Sequence, residues 1–275
     1  MTYARLMVQL ELGRSNAPLL QVAADLALQF DAHLVGIATC QPAQMDYSGG
    51  YADGAFIQQV DDELRAETSK VEAEFRQAVQ GRVKSVSWRT SVLSSPALAY
   101  IAEQARSADL FVTCLATDTV FNGSRAVNTG DLIMQLGRPV LVVPSGASEQ
   151  KLARVLVGWK DTRECRRAIV DALPLLKKAR HVALAEIVPK PERAAAGTRL
   201  VDVAGWLALH GVLAVCQTAS ATADDASALA TMASDEAADV VVTGAYGHSR
   251  LREWALGGVT QDLLRRSDRC LMMSH

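Results

Sequence analysis

No run of about 18 uninterrupted apolar residues occurs in the 275-residue chain, so no segment has the length that a membrane-spanning helix needs. The N-terminal stretch carries Arg5 and Glu11 where a secretory leader would carry an apolar core, and a cytoplasmic protein with no membrane partner is expected. A basic excess is also missing. The 28 lysines and arginines face 30 aspartates and glutamates, and the net charge of -2 speaks against a nucleic-acid partner. The five cysteines (Cys40, Cys114, Cys165, Cys216, Cys270) are scattered and form no C-x-x-C pair, and the five histidines show no H-E-x-x-H spacing. Reduced, buried thiols and no metal site are expected. The chain also lacks G-x4-G-K-[ST], G-x-G-x-x-G, G-x-S-x-G and S-G-G-x-D-S. The familiar routes to phosphoryl, hydride and acyl transfer and to adenylation are therefore without their motifs.

What is present is alternation. Arg5–Leu12 reads as a strand, Ser15–Ala32 as a helix with Ser15 as N-cap and Pro18 in its first turn, and Leu34–Cys40 as a second strand. Gln41–Phe56 reads as a loop. A long helix follows from about Ile57 to Val79, then strand Val83–Leu93, helix Pro96–Ser107, strand Asp109–Leu115, helix Asp131–Leu136 and strand Val140–Val143. After a polar linker at Ser145–Gln150 the pattern returns. His181 answers His33 at an offset of 148 residues, and Asp239 answers Asp109 at an offset of 130. The difference places 18 extra residues in the first half, between its second and fourth strands. A tandem duplication is predicted, with domains at 1–145 and 151–275. Each is an α/β domain with a five-stranded parallel sheet and helices on both faces. With strand order 3-2-1-4-5, the winding reverses between strands one and four, and ligands of such sheets bind beyond the carboxyl ends there.

In the second half that place is filled by Asp239–Thr260. A buried strand runs into Gly244 and Gly247, and Gly257 and Gly258 open the next helical segment. Glycines after a strand let a ligand approach bare N–H groups, and a helix N-terminus attracts anions. Thr260 adds a hydroxyl in the first turn. A phosphate cradle and a plain strand-to-helix connection are both compatible with this spacing. Arg250, inside the nine-residue spacer, is long enough to fork onto a phosphate, although solvated loop charges are commoner. Arg163, Glu164, Arg166 and Arg167 read as the solvated face of an amphipathic helix whose apolar face is Ala168, Ile169, Ala172 and Leu176.

With Gly244, Gly247 and Gly257 in the spacing Gly-x2-Gly-x9-Gly after a fourth strand, both halves resemble universal stress protein domains, and the whole chain resembles the tandem form of that family. The resemblance implies two Rossmann-like domains of the adenine-nucleotide alpha-hydrolase-like kind. It also implies ATP, with or without Mg²⁺, on the second half, with the base at the ends of strands one and two and the phosphates on the glycine loop. The residues it carries over are Gly158, Lys160, Ile187, Gly244, Gly247, Gly257, Gly258, Val259 and Thr260. Two positions depart from the family pattern: Gly258 stands where a serine or threonine is expected, and Lys160 stands where an acidic residue is often found. In the first half, Cys114 and Thr117 replace the first two glycines, and no ATP is expected there. The family's fifth strand is an edge that pairs across a two-fold, so the two halves are expected to pair internally as a pseudo-dimer, with further homodimerisation open. The function implied is a nucleotide-linked stress-response regulator without efficient catalysis. The alternatives are a weak Mg-dependent ATPase, with Asp161 or His248 orienting water, and a nucleotide-free scaffold.

Overall fold

The computed structural model describes residues 2–40, 54–92, 97–115, 127–145, 151–221, 224–247 and 259–275. The chain divides into two compact units, Tyr3–Leu136 and, in the main, Gly137–His275.

The first unit runs β1 (Arg5–Gln9), α1 (Ala17–Phe30), β2 (His33–Cys40), α2 (Gly54–Val79), β3 (Val86–Val92), α3 (Ala97–Ala105), β4 (Leu110–Cys114) and α4 (Thr129–Gln135). Its strands lie in the order β3-β2-β1-β4, all parallel. The central strands are unbroken apolar runs, and Leu6, Met7, Val8, Phe111 and Val112 have no exposed surface. This is the composition of strands covered on both faces. Gly36 on β2 pairs with Trp88 on β3, and the Trp88 ring lies over the glycine. Phe75 from α2 closes the cluster, its ring centroid 5.5 Å from that of Trp88.

Three details differ from the sequence expectation. The N-cap of α1 is Asn16 rather than Ser15, and its side chain makes no cap bond. Instead the buried Asn16 amide accepts from the Glu11 N–H at 2.9 Å and donates to the Glu11 carbonyl at 3.1 Å, pinning the β1–α1 turn. Helix α2 begins at Gly54 rather than near Ile57, and α4 begins at Thr129 because Asn128 caps it through the Asp131 N–H. Tyr47 and Tyr51, in the stretch that reads as a loop, lie outside the described residues.

The second unit contains β5 (Val140–Val143), β6 (Arg154–Trp159), α5 (Arg163–Lys178), β7 (His181–Val188), α6 (Arg193–Leu209), β8 (Val215–Ser220), α7 (Asp225–Asp235), β9 (Val240–Gly244), α8 (Val259–Arg266) and β10 (Cys270–Ser274). The order is β5-β10-β9-β6-β7-β8. Strands β6 to β10 are parallel and carry the expected 3-2-1-4-5 arrangement. The fifth strand of the first half, β5, runs antiparallel to β10, with Leu141 opposite Met272. Neighbouring residues at the end of β6 show that both faces are covered. A side chain on Gly158 would meet Leu229 of α7, whereas Trp159 faces the groove between α5 and α6.

The duplication is visible in hydrogen bonds. Asp109 Oδ2 accepts from the N–H groups of Ala4 and Arg5 at 2.8 and 2.9 Å. Asp239 Oδ2 does the same for Ala153 and Arg154, at 2.9 Å each. Each carboxylate ties the start of a fourth strand to the start of a first. The paired histidines have diverged: His33 bonds Ser85 and Ser87, while His181 bonds Glu236.

Surface electrostatics on the second unit give a pH prediction. Asp224 caps α7, and its pKa is lowered to about 2 by the Ser227 hydroxyl, the Ser227 N–H and Arg266. A carboxyl depressed in the folded state contributes stability above its unfolded value of 3.8, and that contribution is lost as the pH falls toward 2. Asp224→Asn is therefore expected to lower the urea midpoint at pH 6 and to lower it measurably less at pH 3.

Candidate functional site

The switch point lies between β6 and β9, whose register brings Gly158 beside Thr243 at the carboxyl ends. Strand β9 ends at Gly244, and the chain continues through Ala245, Tyr246 and Gly247. Tyr246 adopts φ +55°, a left-handed conformation that turns the loop back, and its N–H donates to Thr260 Oγ1 at 3.3 Å. Thr260 is buried in the first turn of α8, so its hydroxyl already fastens that turn to the loop. Val259, one residue earlier, is exposed.

The first turn of α5 forms the other wall. Thr162 caps the helix by accepting from the Cys165 N–H, and Lys160 is exposed just before it. Ile187 sits half-buried near the end of β7, one residue beyond the Trp159–Glu186 pair. Gly158, Lys160, Gly244, Gly247, Val259 and Thr260 are thus arranged around one end of the β6–β9 crevice, with Ile187 on the adjoining strand. Arg250, Gly257 and Gly258 lie outside the described residues, as do His248 and Trp254.

The residue that sequence reasoning misjudged is Glu164. Expected on a solvated face, it is 3% exposed and faces the glycines. A Cβ on Gly244 would lie 2.6 Å from the Cys165 nitrogen and 2.8 Å from the Glu164 Cβ, and a Cβ on Gly247 would lie 3.0 Å from Glu164 Oε2. Both glycines therefore have a packing role against α5. Burial pushes the Glu164 carboxyl up, but hydrogen bonds from Arg163, its own backbone N–H and Thr162 outweigh it and hold the pKa below the usual value. An ionised carboxylate thus stands beside Gly247. Asp161, the water-orienting candidate of the ATPase alternative, accepts from Arg166 Nη2 at 2.8 Å. In the first half, Cys114 is half-buried at the end of β4, and burial, then the Glu11 charge, push its thiol up. Thr117 and Gly123 lie outside the described residues.

Among the described residues no group of three histidine, cysteine, aspartate or glutamate side chains is placed to hold a metal ion. No described helix is long and apolar enough to cross a membrane.

No protein-family model matches the chain, and no curated protein matches it in sequence. Among solved structures, a universal stress protein from Archaeoglobus fulgidus DSM 4304 superposes with a TM-score of 0.73 at 13% identity, over 98% of this chain and 95% of that one. A functionally unknown protein from Pseudomonas aeruginosa PAO1 superposes with a TM-score of 0.62 at 18% identity, over 99% and 92%. The cytoplasmic domain of a prokaryotic cation chloride cotransporter gives a TM-score of 0.53 at 10% identity, over 98% and 95%. The chain has the fold of a tandem universal stress protein.

Proposed function

We propose that this chain is a cytoplasmic regulatory protein whose second unit binds an adenine nucleotide at the β6–β9 switch point, and whose first half is a nucleotide-free counterpart paired with it as a pseudo-dimer. The observation that carries this reading is the meeting of Gly158, Gly244 and Gly247 with Lys160 and the N-terminal turn of α8 at one crevice of the sheet. An exposed ammonium and a helix start suit an anion. ATP, with or without Mg²⁺, is the ligand proposed, with its phosphates toward Gly247, Gly257 and Gly258 and its base toward Ile187. Occupancy would change the loop after β9 and the surface offered to a partner. Turnover is not part of the proposal, since Asp161 is held by Arg166.

Glu164 favours a second reading, in which the glycines serve only the seating of α5 and the unit is a nucleotide-free scaffold. A buried carboxylate beside Gly247 opposes a polyphosphate unless a cation lies between them.

Calorimetric titration of ATP with Mg²⁺ separates the two. The expected result is a one-to-one isotherm for the wild type that disappears in Gly247→Val. That variant is expected to stay folded, because the new side chain meets the flexible tip of Glu164. Glu164→Gln is expected to bind ATP more tightly than the wild type. No heat from the wild type would establish the scaffold reading, and a stoichiometry of two would return a site to the first half.

A further inference from the structure

Strand β8 is the edge strand of the second unit and pairs with β7 alone among the described strands. An edge presents a row of backbone groups that another strand can join, and proteins blunt it with charge, proline, a bulge or a covering group. The first three are absent from β8. It reads VCQTAS, its register with β7 runs unbroken, and from Val203 to Ala223 the chain has no aspartate, glutamate, lysine or arginine. The residues leading into it are apolar and exposed, with Leu209 at 87%, Leu213 at 85% and Val215 at 52%. The edge strand β3 of the first unit, by contrast, carries Arg89 within it and Lys84 just before it.

The direction of each backbone group on β8 follows from one bond. Ala221, just past the strand, donates its N–H to Val188 O at 2.8 Å. Alternate residues of a strand turn their backbone groups to opposite sides, so Val215, Gln217 and Ala219 bond toward β7. Cys216, Thr218 and Ser220 turn theirs outward. The strand is also anchored by side chains. Cys216 Sγ donates to Leu200 O of α6 at 3.4 Å, and Gln217 donates to the Glu236 carboxylate beyond α7. A straight, anchored and uncharged edge is a good template for a further strand.

The middle of that edge is covered by one side chain. Arg193 Nη2 donates to Thr218 O at 2.9 Å, and Arg193 Nε donates to Thr218 Oγ1 at 3.2 Å. Two prolines set its place. Pro189 and Pro191 flank the start of a 3₁₀ turn at Lys190–Glu192, closed by the Glu192 N–H on Pro189 O at 2.8 Å, and Arg193 then opens α6. The guanidinium is thereby delivered onto the central outward carbonyl of β8.

We propose that Arg193 is a guard that keeps β8 from pairing with β8 of a second copy of this chain. The partner follows from symmetry. Two copies meeting antiparallel about a two-fold axis at Thr218 place Thr218 opposite Thr218 and Cys216 opposite Ser220, so all the outward residues fall into hydrogen-bonded pairs. The central pair requires each Thr218 O to accept the other copy's Thr218 N–H, and that oxygen is the one Arg193 holds. An incoming strand must displace a charge-assisted bond on each copy. Without the guard nothing charged on the strand opposes the match, since like charges directly opposite are what destabilise such pairs. An antiparallel neighbour is already accepted at the other end of this unit, where β5 joins β10. The inference concerns the edge alone and does not rest on nucleotide binding.

Sedimentation equilibrium over a range of concentrations tests it, with folding followed by circular dichroism. Arg193→Ala, at an exposed position, is expected to stay folded and to self-associate about tenfold more strongly than the wild type, because one charge-assisted bond per copy no longer stands in the way. Adding Thr218→Pro is expected to return association to the wild-type level, since it removes the outward N–H of the central pair and no bond to β7. Ser220→Pro, at the exposed end of the strand, serves in its place if Thr218→Pro disturbs the fold. Unchanged association in Arg193→Ala overturns the proposal, as does association that persists in the folded proline variant. Wild-type association that the proline abolishes also overturns it, by showing that the edge is open with Arg193 in place.

Discussion

Phe75→Ala is expected to destabilise the first unit by about 3–5 kcal/mol, the range for removing a fully buried aromatic ring. Phe75 has no exposed surface, and it is among the largest of the fully buried side chains. Its neighbours cannot close the space. Trp88 is already committed to covering Gly36, where a Cβ would come within 2.6 Å of the indole ring. Gly36 has no side chain with which to answer, and the Cβ position there is only 3.1 Å from the Phe75 ring. The cavity therefore persists beneath a tryptophan that has lost its partner, and the aromatic pair itself adds about 0.5–1.5 kcal/mol to the loss. Phe75→Leu keeps most of the volume and is expected to cost less than half as much. Urea titration followed by tryptophan fluorescence measures both; a loss below about 1 kcal/mol for Phe75→Ala would show that α2 and β3 can collapse together.

Gly244→Val is expected to cost about 3 kcal/mol, at the upper end of ordinary overpacking. The reason lies in what the added carbon meets. Its nearest neighbours are the Cys165 nitrogen and the Glu164 carbonyl carbon, at 2.6 and 2.7 Å, and these are backbone atoms of a helix start that cannot rotate aside. Relief requires α5 to withdraw from β9, against which it is packed along with β10. Gly247→Ala is the control. Its nearest atom is the end of a carboxylate, so it is expected to cost less than about 1 kcal/mol. Equal losses at the two glycines in urea titration would contradict the distinction between a packing glycine and a loop glycine.

The same two glycines show how far the sequence could be read. Stretches with strand character between turn residues locate the strands to within a few residues, and Val140–Val143 is placed to the residue because prolines flank it. Alternation implies parallel sheets, whereas the order 3-2-1-4-5 is a supposition that the structure bears out; the duplication shows again in Asp109 and Asp239, which occupy equivalent corners and make equivalent bonds. The α1 cap was missed because Ser15 and Asn16 are both good caps in isolation, and the choice was settled by Glu74, 58 residues away, which accepts from the Asn16 N–H. Glu164 was missed for a related reason. Its charge groups it with Arg163, Arg166 and Arg167, but helical spacing sets it one turn before Ala168 at the border of the apolar face, and a bare strand end opposite lets the carboxylate turn inward. The absence of bulk at Gly244 and Gly247 was the signal, and it pointed to a ligand as readily as to a buried side chain.

The antiparallel seam between β5 and β10 has a consequence for how this chain can change over time. In an assembly of identical subunits a seam strand meets its own copy, so every substitution arrives on both sides at once and must fit itself. Here Met272 faces Leu141 and Met273 faces Val140, so a long flexible side chain lies opposite a shorter branched one. With both strands carried by one chain, each side of the seam can change without the other changing with it.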